Sequence, residues 1–317
     1  MNVMNIKKKA IIKQLTAPFI SSLSAFGNVL HPDRNKGPLL ISGSPRGGTT
    51  WLAESIAEIF DSRRLLWEPL QSGNIANSSL ALSKRPYLDE DDVSPEVRSF
   101  FCDLLDAKLG NAHLYRLRNR PSNLFNALSS DKLIIKFVRG NGVVGYLRRN
   151  FDIPKPVVVI RHPCAVVASQ LHMGNWQDHP HIDPGLLKLY PELERYNDFR
   201  LPLVERLAVT WVCDVLAAKR NSEDLQLVYY ENIVKNGSDE IWPILQNWGL
   251  SSRPQNIDEI LNKGSSTTHT WSSLGTAEGK LGRWRREMNP DNVESILAIC
   301  HSLGATDYSG DLFPDDA

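Results

Sequence analysis

Short apolar runs that stop at a glycine, a proline or a charged residue alternate with longer stretches of helical period along this chain of 317 residues. Leu39-Leu40-Ile41-Ser42-Gly43 and the β-branched run Val157-Val158-Val159-Ile160 read as buried strands of a parallel sheet. Leu225 to Tyr230 reads as another, Leu65-Leu66-Trp67 is a short apolar run ended by Glu68, and Ile134-Ile135 runs into Lys136 at a strand end. A helix is expected to open near Thr49 after the first strand, and Cys164 to Leu171 is helical in pattern after the second. Strand and helix in alternation predict an α/β fold with a central, mainly parallel sheet.

The N-terminal 1–36 stretch differs. Lys7-Lys8-Lys9 precede apolar residues at Ile11, Ile12, Leu15, Phe19, Leu23, Phe26 and Leu30, a helical period that Pro18 is expected to interrupt. The segment reads as a basic amphipathic helix packed on the domain or resting on a membrane surface. Ser22-Leu23-Ser24 also has the small-x-small form of a signal-peptide site, although Lys13 and Gln14 break the apolar stretch. No uninterrupted apolar run approaches membrane-spanning length. The polar segment from Arg85 to Asp92 reads as a solvated loop within an inserted, largely helical region at about 70–130. One domain is expected over 37–310, with a frayed tail at 311–317.

The candidate chemistry begins where the first strand ends. Ser44-Pro45-Arg46-Gly47-Gly48-Thr49-Thr50-Trp51 is a glycine-rich turn into a helix, and such a turn aims backbone N–H groups and the positive end of a helix dipole at one spot, which suits phosphate. Gly43 and Gly48 have Walker A spacing, but Thr49 stands where that motif has its lysine, and the loop's only cation is Arg46. Read without ligand, the same residues make a tight structural turn. The second strand ends at Arg161-His162-Pro163, and Ser169 follows Arg161 by eight residues. At the carboxyl edge of an open α/β sheet Arg161 and Arg46 can face one crevice, and a guanidinium with a hydroxyl suits a phosphate dianion.

These two motifs together resemble the 5′-phosphosulfate loop and the 3′-phosphate arginine–serine pair of sulfotransferases that use 3′-phosphoadenosine-5′-phosphosulfate (PAPS). The resemblance implies a P-loop-like three-layer fold with an inserted helical acceptor region. Arg46 takes the place of that family's loop lysine, with Gly47, Gly48, Thr49 and Thr50 beside it. Tyr230-Glu231-Asn232 is similar to the family's Y-E-D segment, which would bring Tyr230 near the adenine with Trp51 stacked on it; Tyr229 reads as a core aromatic. Gly275 to Arg285 is similar to the segment that wraps the 3′-phosphate, but Ala277 and Glu278 replace its basic pair, leaving Lys280, Arg283 and Arg285 as the nearest cations. The family's histidine base has Val138 in its place. Lys136 is then a candidate to touch the sulfuryl oxygens, and Trp67-Glu68-Pro69 resembles the bacterial and carbohydrate-type segment whose glutamate is the proposed base. His172 is the reserve candidate for that base.

The resemblance implies sulfuryl transfer from PAPS to a hydroxyl or amine of a small-molecule, lipid or carbohydrate acceptor, releasing adenosine 3′,5′-bisphosphate, with no metal required. Two other readings stay open: a nucleotide-dependent kinase, which Thr49 in the lysine position opposes, and a noncatalytic nucleotide-binding module. His172, Asp178, His179, His181 and Asp183 crowd one stretch, but their spacing fits no metal signature, and an acceptor-binding loop is the preferred reading. Lysines and arginines number 36 against 36 acidic residues, which gives no support to a nucleic-acid binder. Four cysteines, far apart and without a C-x-x-C pair, read as reduced thiols of a reducing compartment, and the expected location is the cytoplasm, free or peripheral to a membrane.

Overall fold

The computed structural model describes residues 3–71, 80, 82–89, 93–117, 120–174, 182–266 and 281–315. Five strands, β1 (Leu39–Gly43), β2 (Leu65–Trp67), β3 (Ile134–Lys136), β4 (Val157–Ile160) and β5 (Gln226–Tyr229), form one sheet in the order β2-β3-β1-β4-β5. Every pairing is parallel: Leu39 lies opposite Ile134, Ile41 opposite Val157, Trp67 opposite Lys136, and Ile160 opposite Tyr229. The chain builds β2 and β3 on one side of β1 and β4 and β5 on the other, so all five carboxyl ends share an edge and a crevice opens beyond β1.

Alternation along the strands divides the core. Leu40, Leu66, Ile135 and Val158 face one cluster with Phe101, Tyr146 and Leu147. Leu39, Ile41, Ile134, Val157, Val159 and Val228 face the other, against the helices Thr49–Ile59 and Ser238–Asn247. A third cluster gathers the helices Pro163–Met173, Leu203–Arg220 and Pro290–Ser302 around Trp211 and Tyr308. Burial of both sheet faces explains why the strands read as continuous apolar runs. The 70–130 region contributes, among its described residues, the helix Pro95–Leu105 and the 3₁₀ helix Pro121–Leu128.

Two expectations are corrected. The N-terminal helix runs unbroken from Val3 to Leu30 through Pro18. Pro18 is exposed, so water can meet the carbonyl that its missing N–H leaves unbonded. The segment after Asp311 is held rather than frayed as far as Asp315: the Asp315 N–H donates to the Asp307 carbonyl at 2.8 Å, and Lys235 lies 5.0 Å from the centre of the Phe313 ring. All four cysteines, Cys102, Cys164, Cys213 and Cys300, are free thiols. Among the described residues no helix is long and apolar enough to cross a membrane.

Candidate active site

The loop after β1 is built around backbone conformations that most residues avoid. Gly48 has φ 96°, and a Cβ there would lie 2.5 Å from the Tyr230 ring, so glycine lets the loop close against that aromatic. No side chain caps the helix Thr49–Ile59 that follows, which leaves its first N–H groups directed into the loop. Gln170 Nε2 donates to the Pro45 carbonyl at 2.9 Å and Arg161 Nη1 to the Arg46 carbonyl at 3.1 Å, tying the loop to the Arg161 segment. Arg46 Nε donates to Ser169 Oγ at 3.0 Å. Burial, and then the nearby Arg161 charge, lowers the Arg46 pKa. Two guanidinium groups held this close, with Arg161 Nε buried and lacking a hydrogen-bond partner among the described residues, form a site whose natural complement is an anion.

At the ends of β2 and β3 a second cluster faces the same cleft. Trp67 and Lys136 are register partners, and Lys136 Nζ, on a side chain only 3% exposed, pairs with Glu68 Oε1. The Glu68 N–H donates to the Lys136 carbonyl at 2.8 Å, fixing the carboxylate's root to the strand it serves. The Trp67 ring has the Lys136 ammonium 4.7 Å and the Arg116 guanidinium 4.1 Å from its centre. Arg116 also reaches Glu54 at 3.5 Å and donates to Ser266 Oγ at 3.2 Å. Five non-glycine residues have positive φ among the described residues, and three of them, Arg46 (71°), Glu68 (50°) and Arg116 (53°), line this one cleft. Strain of this kind concentrates where tertiary structure holds functional groups in place.

The cleft encloses about 1330 Å³. Its lining includes nine lysines and arginines but three carboxylates, in a chain whose formal charge is zero. The basic residues are therefore gathered here, where a polyanionic ligand would be neutralised. Trp51 and Tyr230 form one wall, ring centres 5.4 Å apart and edge to face, with Trp51 Nε1 donating to the Leu261 carbonyl at 3.0 Å. The Arg161 guanidinium lies 4.5 Å from the centre of the Tyr230 ring. Thr49, Thr50, Val138, Ser169, exposed His172 and Arg283 also line the cleft, and Arg283 pairs with Glu287. Tyr229 turns away into the core and donates to Asp307 Oδ1 at 2.7 Å. Arg285 turns instead to the Gly310 carbonyl. Lys280, Ala277, Glu278, Asp178, His179 and His181 lie outside the described residues. Asp183 caps the helix Pro184–Leu189 and accepts from Ser83 Oγ at 2.6 Å.

Beneath the loop lies a polar network that motif reasoning missed. Asp214, buried on the helix Leu203–Arg220, accepts from Ser44 Oγ at 2.8 Å, and Arg85 Nη1 lies 2.8 Å from both its carboxylate oxygens. Burial pushes the Asp214 pKa up, and Arg85 and Ser44 oppose that. Asn141 Nδ2 donates to the Asp214 carbonyl at 3.0 Å while its Oδ1 accepts from Ser42 Oγ at 2.6 Å. The legible signal was an acidic residue inside a long apolar helical run. Glu231 is likewise structural: it is buried and accepts from the His162 N–H at 3.1 Å and the Tyr308 hydroxyl at 2.6 Å.

No protein-family model matches the chain. No curated protein matches it either. Among solved structures, the chain is similar to the sulfotransferase domain from the curacin biosynthetic pathway, at 14% identity over 84% of this chain and 97% of that one, with a TM-score of 0.45. Mouse sulfotransferase SULT7A1 complexed with PAP matches at 15% identity over 84% of both chains, with a TM-score of 0.42. Sulfotransferase STF9 from Mycobacterium avium matches at 14% identity over 92% of this chain and 83% of that one, with a TM-score of 0.44.

Proposed function

We propose that this chain is a sulfotransferase that moves a sulfuryl group from PAPS to a hydroxyl or amine of a small-molecule, lipid or carbohydrate acceptor and releases adenosine 3′,5′-bisphosphate. The observation that carries the reading is the convergence of Arg46, Arg161 and Ser169 on a glycine-rich helix entrance that lacks a Walker lysine, across one cleft from the Glu68–Lys136 pair. The residues fit the nucleotide chemically: paired guanidiniums for its phosphates, an aromatic wall for its base, and an unpartnered buried Arg161 Nε. When bound, PAPS supplies an activated sulfuryl group on a phosphate leaving group.

The chain's own residues then divide the work. Trp51 and Tyr230 hold the adenine, Arg161 and Ser169 bind the 3′-phosphate, and Arg46 with the helix-entrance N–H groups of Gly47, Gly48, Thr49 and Thr50 stabilises charge on the 5′-side oxygens. Arg283 on the cleft wall adds a further cation on the nucleotide's side. Lys136 neutralises the sulfuryl oxygens, and Glu68, oriented by Lys136, takes the acceptor's proton as its oxygen or nitrogen bonds to sulfur and the sulfur–leaving-oxygen bond breaks. His172 on the cleft wall is the reserve base.

Thermal unfolding with added ligand separates this reading from a kinase. A ligand that binds only the folded state stabilises it by about 2.7 kcal/mol at a hundred times its Kd. Adenosine 3′,5′-bisphosphate should raise the melting temperature without metal, and ATP with Mg²⁺ should not. The opposite pattern would replace the sulfotransferase with a kinase.

A further inference from the structure

The N-terminal helix Val3–Leu30 meets the domain with the wrong face for an ordinary surface helix, which buries its apolar side. The side turned inward over 17–30 is mostly small or polar. Ser21 Oγ donates to the Lys108 carbonyl at 3.0 Å, Ser24 Oγ to the Ala107 carbonyl at 2.5 Å, and Asn28 Nδ2 to the Asp106 carbonyl at 3.2 Å. The approach is close enough that a Cβ on Gly110 would lie 2.0 Å from the Ala17 carbonyl oxygen. Arg34, 6% exposed, locks the helix end by donating to the carbonyls of Ser24, Ala127 and Ser129. Hydrogen bonds and backbone contact hold this helix, with Ile20 its one fully buried large apolar residue among those described.

Four large apolar residues of the helix point outward. Phe19 (56%), Phe26 (56%), Val29 (75%) and Leu30 (52%) are exposed, and so is Phe125 (69%) on the 3₁₀ helix that packs alongside. Only one other large hydrophobic residue, Phe199, is comparably exposed among the described residues, so the exposure belongs to this face and is not scattered. Residues 3–30 also carry four lysines, Lys7, Lys8, Lys9 and Lys13, and no carboxylate. In sequence, the lysines thus fall in the first half of the 3–30 stretch and the aromatics in the second.

We infer that this helix lies in the surface of an anionic lipid bilayer, its Phe19–Leu30 face among the acyl-chain ends and its lysine-rich end among the headgroups. Apolar burial and attraction of basic residues to an anionic leaflet act together in such a helix. The length is too polar to span, which agrees with the absence of a membrane-crossing helix among the described residues. A second copy on the same face would bring a second set of lysines with it, and the like charges would oppose the contact. The inference does not rest on the sulfotransferase reading.

Co-sedimentation of the full chain with vesicles of phosphatidylcholine alone, and of phosphatidylcholine with phosphatidylserine, tests it without donor or acceptor. Binding at least about tenfold stronger to the anionic vesicles is expected at 0.1 M salt, weakening as salt shortens the screening length. Phe26→Ser with Leu30→Ser should lower the partition by about tenfold or more. Replacing Lys7, Lys8 and Lys9 by Gln should remove the preference for anionic lipid. These positions are exposed or lie in the helix's first turns, and an unchanged melting temperature checks that the domain stays folded. Failure to bind either vesicle, or binding indifferent to both sets of substitutions, would overturn the inference. So would a concentration-dependent dimer abolished by the Phe26→Ser, Leu30→Ser pair, which would assign the face to a second copy.

Discussion

Asp214→Asn removes one charge from the network under the loop after β1 and almost nothing else. The carboxylate is 5% exposed and is met by Arg85, itself 14% exposed, at 2.8 Å and by the Ser44 hydroxyl at 2.8 Å. Asparagine keeps one acceptor oxygen but presents an amide where Arg85 needs the other, so a buried guanidinium loses its counter-charge. Breaking a buried pair from one side costs about 3–5 kcal/mol. At about 2 °C per kcal/mol for a chain of this size, the melting temperature should fall by about 6–10 °C. Because Ser44 opens the loop, the KM for PAPS should rise more than kcat falls. Differential scanning calorimetry at pH 7 with donor titration reads both effects. A loss below about 1 kcal/mol would refute the reasoning, since it would mean that burial already keeps the Asp214 carboxyl neutral and that asparagine merely replaces it.

Arg46→Ala should leave the fold intact and lower turnover by about 10²–10³, the usual cost of one charge-stabilising donor; near-normal turnover in a labelled-donor assay would remove the loop from the chemistry. Gly48→Ala forces a Cβ at φ 96° against the Tyr230 ring and should cost about 1–3 kcal/mol in urea unfolding while weakening nucleotide binding. Arg161→Ala should reduce calorimetric affinity for PAPS far more than for adenosine 5′-phosphosulfate, which lacks the 3′-phosphate. His162, buried and stacked on Trp284, has its pKa pushed down by burial to about 4. Its folded pKa lies below the unfolded value, so the stability it confers is present above pH 6.5 and is lost as pH falls toward 4, by about 3 kcal/mol. His162→Asn keeps an acceptor for the Cys164 N–H that His162 Nδ1 now caps, and should flatten the acid branch of a stability–pH curve by that amount.

The sheet was legible because both its faces are buried: runs such as Val157–Ile160 carry no polar position to confuse them, and glycine or charge marks where each ends. Parallel pairing then takes Gly43, Glu68, Lys136, Arg161 and Tyr230 to one edge without further information. Residues that reach the cleft by tertiary approach were not legible. Arg116 comes from a turn in the inserted region, and its stacking on Trp67 follows no spacing rule. Asp214 announces itself only as a charge in an apolar helix, and nothing in one sequence names Arg85 as its partner. Pro18 misled because proline's cost depends on whether solvent can reach the carbonyl it strands. The N-terminal helix keeps its apolar period over 17–30, but the domain takes only Ile20 and part of Leu23 from it, and hydrogen bonds from Ser21, Ser24 and Asn28 hold the rest.

The most direct measurement is transfer of ³⁵S from labelled PAPS to a panel of carbohydrate, lipid, phenol and amine acceptors by the purified chain, with Glu68→Gln in parallel. Label should pass to at least one acceptor class with equimolar adenosine 3′,5′-bisphosphate, and Glu68→Gln should lower kcat by about 10²–10⁴ with donor affinity nearly unchanged. Tight binding of adenosine 3′,5′-bisphosphate without transfer to any class would contradict the enzyme and leave a nucleotide-binding module. Normal transfer by Glu68→Gln, with His172→Ala inactive, would move the base to His172.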